Sequence, residues 1–197
     1  MSNMENIMKS SIIALSALLI GLSVPALADD NLSTVDQIGT NHSATVEQTG
    51  DNTDNTSHIK QTGGDLNNAE VTQQGIDNTN TSVVFQYGSN EEAIVLQDGD
   101  NNTNTSVLTQ AGGGNFADIH QHGNDNNNDS LIQIEAGFGN DIVVDQFGSD
   151  NTNKSTISTF SFGGSSVEVT QHGSNNNNNS TVHTGPIGAN AVVVNQH

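Results

Sequence analysis

A repeat of 24–25 residues, present seven times, constrains this chain more than any other feature of its sequence. Self-similarity at a fixed period decides an architecture before any single element is assigned. One series reads Ser33-Thr-Val35-Asp-Gln37, Ser57-His-Ile59-Lys-Gln61, Ser82-Val-Val84-Phe-Gln86 and Ser106-Val-Leu108-Thr-Gln110. It continues as Ser130-Leu-Ile132-Gln-Ile134, Ser155-Thr-Ile157-Ser-Thr159 and Ser180-Thr-Val182-His-Thr184. A second series lies between these segments: Ala44-Thr-Val46-Glu-Gln48, Ala69-Glu-Val71-Thr-Gln73, Ala93-Ile-Val95-Leu-Gln97 and Ala117-Asp-Ile119-His-Gln121. It ends with Ile142-Val-Val144-Asp-Gln146, Val167-Glu-Val169-Thr-Gln171 and Val192-Val-Val194-Asn-Gln196.

Within a segment the period is two. A small residue, then Val, Ile or Leu, then Gln point to one face, and mostly polar residues fill the other. This is a strand pattern with β-branched residues facing inward. Gly follows the Gln closely, as at Gly39, Gly50, Gly99 and Gly148, and permits a tight corner. Each repeat therefore reads strand, turn, strand, turn. One predicted link is short and Gly-rich, such as Gly112–Asn115. The other is a longer Asn/Asp/Thr link, such as Asp100–Thr105.

A lone hairpin cannot bury its apolar face, but stacked copies can. Equivalent strands then pair about 4.8 Å apart, and each residue sits above its own equivalent. The predicted core columns are Val35, Ile59, Val84, Leu108, Ile132, Ile157 and Val182 in one series, and Val46, Val71, Val95, Ile119, Val144, Val169 and Val194 in the other. Gln37, Gln61, Gln86 and Gln110 form one predicted amide ladder. Gln48, Gln73, Gln97, Gln121, Gln146, Gln171 and Gln196 form a second. Ile134, Thr159 and Thr184 interrupt the first ladder in the last three repeats. The expected fold is an all-β solenoid, two strands per rung, with a body about 34 Å long.

Composition becomes intelligible in that light. Only 31% of the 197 residues are hydrophobic and 4% aromatic, the formal net charge is -19, and there is no Cys. Such numbers taken alone suit a disordered chain, whereas a thin ladder-built core accommodates them. A charge of -19 excludes nucleic-acid binding, which needs clustered Lys and Arg. The absence of Cys excludes a disulfide scaffold and thiolate zinc sites.

Residues 1–28 stand apart from the repeats. Lys9, an apolar stretch from Ile12 to Val24, and Ala26-Leu27-Ala28 before Asp29-Asp30 read as a secretory signal peptide cleaved after Ala28. Its apolar run is too short for a membrane span. Removing it takes away Lys9 and Glu5 together, so the charge of the expected mature chain, 29–197, stays at -19. Nothing in the pattern caps either end of the repeats, and open strand edges invite another copy to stack.

Gln110-Ala-Gly112-Gly-Gly-Asn115-Phe-Ala117-Asp-Ile-His-Gln121 resembles the curlin repeat, Ser-x5-Gln-x-Gly-x-x-Asn-x-Ala-x3-Gln. The resemblance spans roughly residues 32–197. It implies a β-solenoid subunit of curli, the extracellular functional amyloid of bacterial biofilm and adhesion. It further implies secretion by a Gram-negative cell through an outer-membrane pore, and templating by a nucleator subunit. Departures are visible. Glu91 stands where the motif has Asn, Ser lies four rather than six residues before Gln, and a Gly-rich export segment is missing. The nucleator's basic C-terminal portion is also missing, which favours a major-subunit-like role.

No catalytic set, cofactor site or metal site emerges. The seven His residues (His42, His58, His120, His122, His172, His183 and His197) are scattered and read as solvated surface. No break in the repeat gathers acid, base and nucleophile, so the chain does not read as an enzyme. Asn52, Asp77, Asn101, Asp125, Asp150 and Asn175 recur five residues before Ser and read as turn chemistry; a cation between Asp125 and Asp150 is the sharper alternative. The alternative function is a monomeric binding module, an adhesin or an ice-binding protein. The outward positions Asp36, Lys60, Phe85, Thr109, Gln133, Ser158 and His183 make no Thr array for ice. A pectin-lyase-type solenoid enzyme would need wider rungs.

Overall fold

Alternation of small or branched residues with polar ones specifies extended backbone, and the corners between strands fall where Asn, Asp or Gly can take a left-handed conformation. The computed structural model describes residues 31–186 and 189–197. The expected signal peptide, with Ala26 and Ala28, lies outside the described residues.

Fourteen strands follow one another with no helix among the described residues. They are β1 (Leu32–Thr40), β2 (Ser43–Asp51), β3 (Asp54–Asp65), β4 (Asn68–Ile76), β5 (Thr79–Ser89), β6 (Glu92–Asp100) and β7 (Thr103–Gly113). Then come β8 (Phe116–Asn124), β9 (Asn127–Phe138), β10 (Asp141–Ser149), β11 (Thr152–Thr159), β12 (Ser165–Ser174), β13 (Asn177–Thr184) and β14 (Asn190–Gln196). Odd-numbered strands stack in order as one seven-stranded sheet, and even-numbered strands as another. The pairings are parallel throughout. The fold is thus a β-solenoid with two strands per rung and two facing sheets.

Register follows the repeat. Val84 pairs with Leu108 and Gln86 with Gln110, while Val95 pairs with Ile119 and Gln97 with Gln121. The apolar core is two columns facing each other. Ile59, Val71, Val84, Val95, Leu108, Ile119, Ile132, Val144, Ile157 and Val169 are fully or almost fully buried, and Val182 nearly so. Val35, Val46 and Val194, in the outermost rungs, are only partly covered.

The strands are longer than the sequence segments, and the Asn/Thr link is mostly strand. Thr103, Asn104 and Thr105 open β7, and the turn shrinks to Asn101-Asn102. The physical reason is that period two continues backward from Ser106: Asn104 faces inward and is buried. Asn, depleted in ordinary strands, is accommodated because its amide finds a partner in the next rung. The corners carry the left-handed residues. Asn52, Asp77, Asn101, Asp125, Asp150 and Asn175 have φ of 53–58° at one corner, and Asn41, Leu66 and Asn90 have φ of 56–63° at the other.

Gly99 illustrates how closely the corners stack. Its φ is +113°, and a Cβ there would lie 1.8 Å from the carbonyl oxygen of Gly123 in the next rung. Only glycine fits that approach.

Candidate assembly surface of amide ladders and sheet edges

Each interior Gln has one acceptor and two donors to satisfy in a dry core. In the odd sheet Gln37 donates from Nε2 to Oε1 of Gln61, Gln61 to Gln86 and Gln86 to Gln110, over 2.7–3.0 Å. In the even sheet the ladder runs Gln48, Gln73, Gln97, Gln121, Gln146, Gln171, Gln196 without interruption, over 2.7–2.9 Å. The second Nε2 hydrogen crosses the core to a carbonyl of the facing sheet. Gln61 reaches Ser43 O, Gln97 reaches Thr81 O and Gln171 reaches Lys154 O, at 2.8, 3.1 and 2.9 Å. Each such Gln therefore binds its rung to the next and one sheet to the other.

A third ladder escapes a reading of the Gln and Val columns alone. Asn80 donates to Asn55, Asn104 to Asn80, Asn128 to Asn104, Asn153 to Asn128 and Asn178 to Asn153, over 2.9–3.1 Å. All six side chains are buried. They lie six residues before the Gln position, where the curlin motif has Ser. The signal was present as a step of 24–25 residues in Asn, obscured by the many other Asn residues nearby. This ladder points the opposite way: its donors face the β1 end of the stack, whereas the Gln donors face the β13–β14 end.

The corners add further columns. Oδ1 of Asn78 accepts from the backbone N–H of Asn102, Asn102 from that of Asn126, and Asn126 from that of Asn151, at 2.8–3.0 Å. Their Nδ2 groups donate to Gly99 O, Gly123 O and Gly148 O. At the other corner Asn67 donates to Gly88 O and Asn115 to Gly137 O, and Glu91 lies between them in the column. Glu91 is fully buried. Its Oε1 accepts from Asn115 Nδ2 at 3.3 Å, and Oε2 has no partner. Burial pushes its carboxyl up from 4.5 to about 7, although the hydrogen bonds with Asn115 and the Tyr87 backbone pull it down.

The outer face of the even sheet carries a loose charged cluster. Asp118 lies 3.3 Å from His120, and Asp145 lies 3.4 Å from His122. Burial raises the Asp118 carboxyl against the pull of His120, with Asp145 and Glu92 raising it further. The hydrogen bond to Asp145 raises the His122 imidazole. Among the described residues no group of three or more His, Asp or Glu is arranged to hold a metal ion, and Asp125 and Asp150 serve as left-handed corner residues.

The outermost strands are β1 and β2 at one end and β13 and β14 at the other. Among the described residues no further strand covers them. The Gln ladder of the even sheet ends with an N–H of Gln196 at one edge and with Oε1 of Gln48 at the other.

Residues 28–63 match the model of the curlin associated repeat family. The matched stretch holds β1, β2 and most of β3, and every later strand stacks on these in parallel register. The curlin repeat is a structural family rather than an enzymatic one, associated with extracellular curli fibres. A comparison with the curated proteins finds no match. No helix among the described residues is long and apolar enough to cross a membrane.

Proposed function

We propose that this chain is a secreted, non-enzymatic structural subunit that stacks end to end into curli-like amyloid fibres of the extracellular matrix, in a major-subunit-like role. The observation that carries the reading is the complementarity of the two open edges. A parallel edge leaves backbone N–H and C=O groups unpaired. At the β13–β14 edge Gln196 offers a donor and Asn178 an acceptor. At the β1–β2 edge Gln48 and Gln37 offer acceptors, their Nε2 groups already donating inward to Gln73 and Gln61. The hydroxyl of Thr184, without a partner, lies in the same column as Gln37. A second copy placed β1 to β13 and β2 to β14 continues the apolar columns. Val182 then meets Val35, and Val194 meets Val46.

The curlin match supports the extracellular setting, passage through an outer-membrane pore and templating by a nucleator subunit. The residues assigned to assembly are the Gln columns, with the Val, Ile and Leu columns supplying burial.

The test takes the chain from Asp29, purified in denaturant and then diluted. Fibres with a meridional reflection near about 4.7–4.8 Å are expected. A folded monomer that stays soluble at high concentration, with or without preformed fibres as seeds, overturns the proposal in favour of a monomeric binding module.

A further inference from the structure

The outward column just after the Gln ladder of the even sheet ends in four stacked rings. Register places His122 of β8 beside Phe147 of β10, and Phe147 beside His172 of β12. Gln171 pairs with Gln196, which brings His172 next to His197. The ring centroids are 5.1, 4.6 and 5.2 Å apart in turn. The last contact differs in kind. The planes of His172 and His197 stand at 82°, and their Nδ1 atoms lie 3.0 Å apart.

That separation suits chelation. Two nitrogens each about 2.0–2.1 Å from one metal ion lie roughly 2.9–3.3 Å apart at bond angles between square-planar and tetrahedral. The pair as it stands is an N–H···N hydrogen bond, with one proton between two lone pairs. A dication takes the place of that proton, which is taken up on Nε2 of the same ring so that both imidazoles bind as neutral ligands, and the rings turn about their side-chain bonds to aim both Nδ1 lone pairs at the ion. Phe147 packs against the other side of His172. No third His, Asp or Glu joins the pair among the described residues, so water completes the coordination. Such an open two-imidazole site selects borderline transition metals over Ca²⁺ and Mg²⁺, with Cu²⁺ held most tightly.

We infer that His172 and His197 form a bidentate transition-metal site that clips β12 to β14, the last two strands of the even sheet. Its consequence is mechanical. The outermost rung of a stack has neighbours on one side only and frays most readily, and a metal bridge between two rungs restrains it. The inference rests on the folded chain alone and does not depend on assembly.

The probe is Cu²⁺ or Zn²⁺ alone, titrated into the full chain and into His172→Ala, His197→Ala, His58→Ala and His183→Ala. One site is expected in the parent chain. Losing either member of the pair removes the second attachment and weakens that site by about 100-fold. His58→Ala and His183→Ala leave it unchanged. Electron paramagnetic resonance of the Cu²⁺ form should report two equivalent imidazole nitrogens, lost in the first two variants. Metal should also raise the denaturation midpoint of the parent chain but not of His172→Ala or His197→Ala, which unfold like the parent without metal. Affinity unchanged in both pair variants, coordination by a single imidazole, or no binding by the folded parent chain overturns the inference.

Discussion

Glu91→Gln should remove a pH-dependent weakness from the solenoid. The buried carboxyl occupies a corner column where Asn67 and Asn115 each donate to a glycine carbonyl of the next rung. An ionised carboxylate has no hydrogen to give there. Its folded pKa is raised from 4.5 to about 7, with burial rather than a neighbouring charge as the cause. The folded state therefore binds a proton that the unfolded chain has already released. Between about pH 4.5 and pH 7, unfolding sheds this proton, and stability falls by roughly 1.4 kcal/mol per pH unit. Above pH 7 both states are ionised and the loss levels off at about 3 kcal/mol. Below pH 4.5 both are protonated and nothing is lost.

The assay is chemical denaturation of the folded chain and of Glu91→Gln at about pH 4, pH 6 and pH 8.5. The remaining acids titrate alike in both proteins and cancel in the difference. The variant should match the parent at the lowest pH and exceed it by about 3 kcal/mol at the highest. A constant difference between Glu91→Gln and the parent across the range would refute the reasoning, because it would place the effect in packing rather than in ionisation.

Four further outcomes are expected. Asn104→Val should cost about 2–4 kcal/mol in denaturation, because Oδ1 of Asn80 loses its donor and Nδ2 of Asn128 its acceptor in a dry core. Leu66→Asn should stabilise by about 1 kcal/mol, since Leu66 holds φ of 63° at an exposed corner where other rungs use Asn. Gly99→Ala should cost at least about 3 kcal/mol, because its Cβ would meet the Gly123 carbonyl and its φ disfavours any side chain. Fibre growth, followed by thioflavin fluorescence, should quicken when ionic strength rises from about 0.01 to 0.15 M, because the Debye length falls from about 30 to 8 Å and the charge of -19 is screened.

The period and the inward columns were legible because each obeys two simple rules at once, an alternation of two and a step of 24–25. Leu108 and Gln110 could be placed from those rules alone. Asn104 obeys both as well, yet it sits among Asn101, Asn102 and Thr103, where composition argues for a turn. What composition cannot supply is the partner: Asn becomes a strand residue only when the rung above and the rung below offer an amide at the same height. Glu91 could be recognised as a departure from the motif, but whether it faced water or the core depended on the corner's path. The pairing of His172 with His197 needed the register of β12 against β14. Twenty-five residues separate the two, which the repeat step alone equates, but only side-chain geometry brings their Nδ1 atoms together.

The polar columns also explain how so apolar-poor a chain specifies one structure. A stack of Val and Ile columns buries surface, but apolar contact is non-directional and leaves no unsatisfied partner when a strand is displaced. An amide ladder discriminates strongly, because a displaced Gln leaves a buried donor and acceptor unsatisfied, at a cost of about 1–3 kcal/mol each. The Gln bonds across the core, such as Gln97 to Thr81 O, fix the offset of one sheet against the other as well. The Gln and Asn ladders point in opposite directions, so an inverted rung would set donor against donor in one and acceptor against acceptor in the other. Register, sheet offset and rung direction are thus all held by amides, and the apolar columns need only supply the driving force.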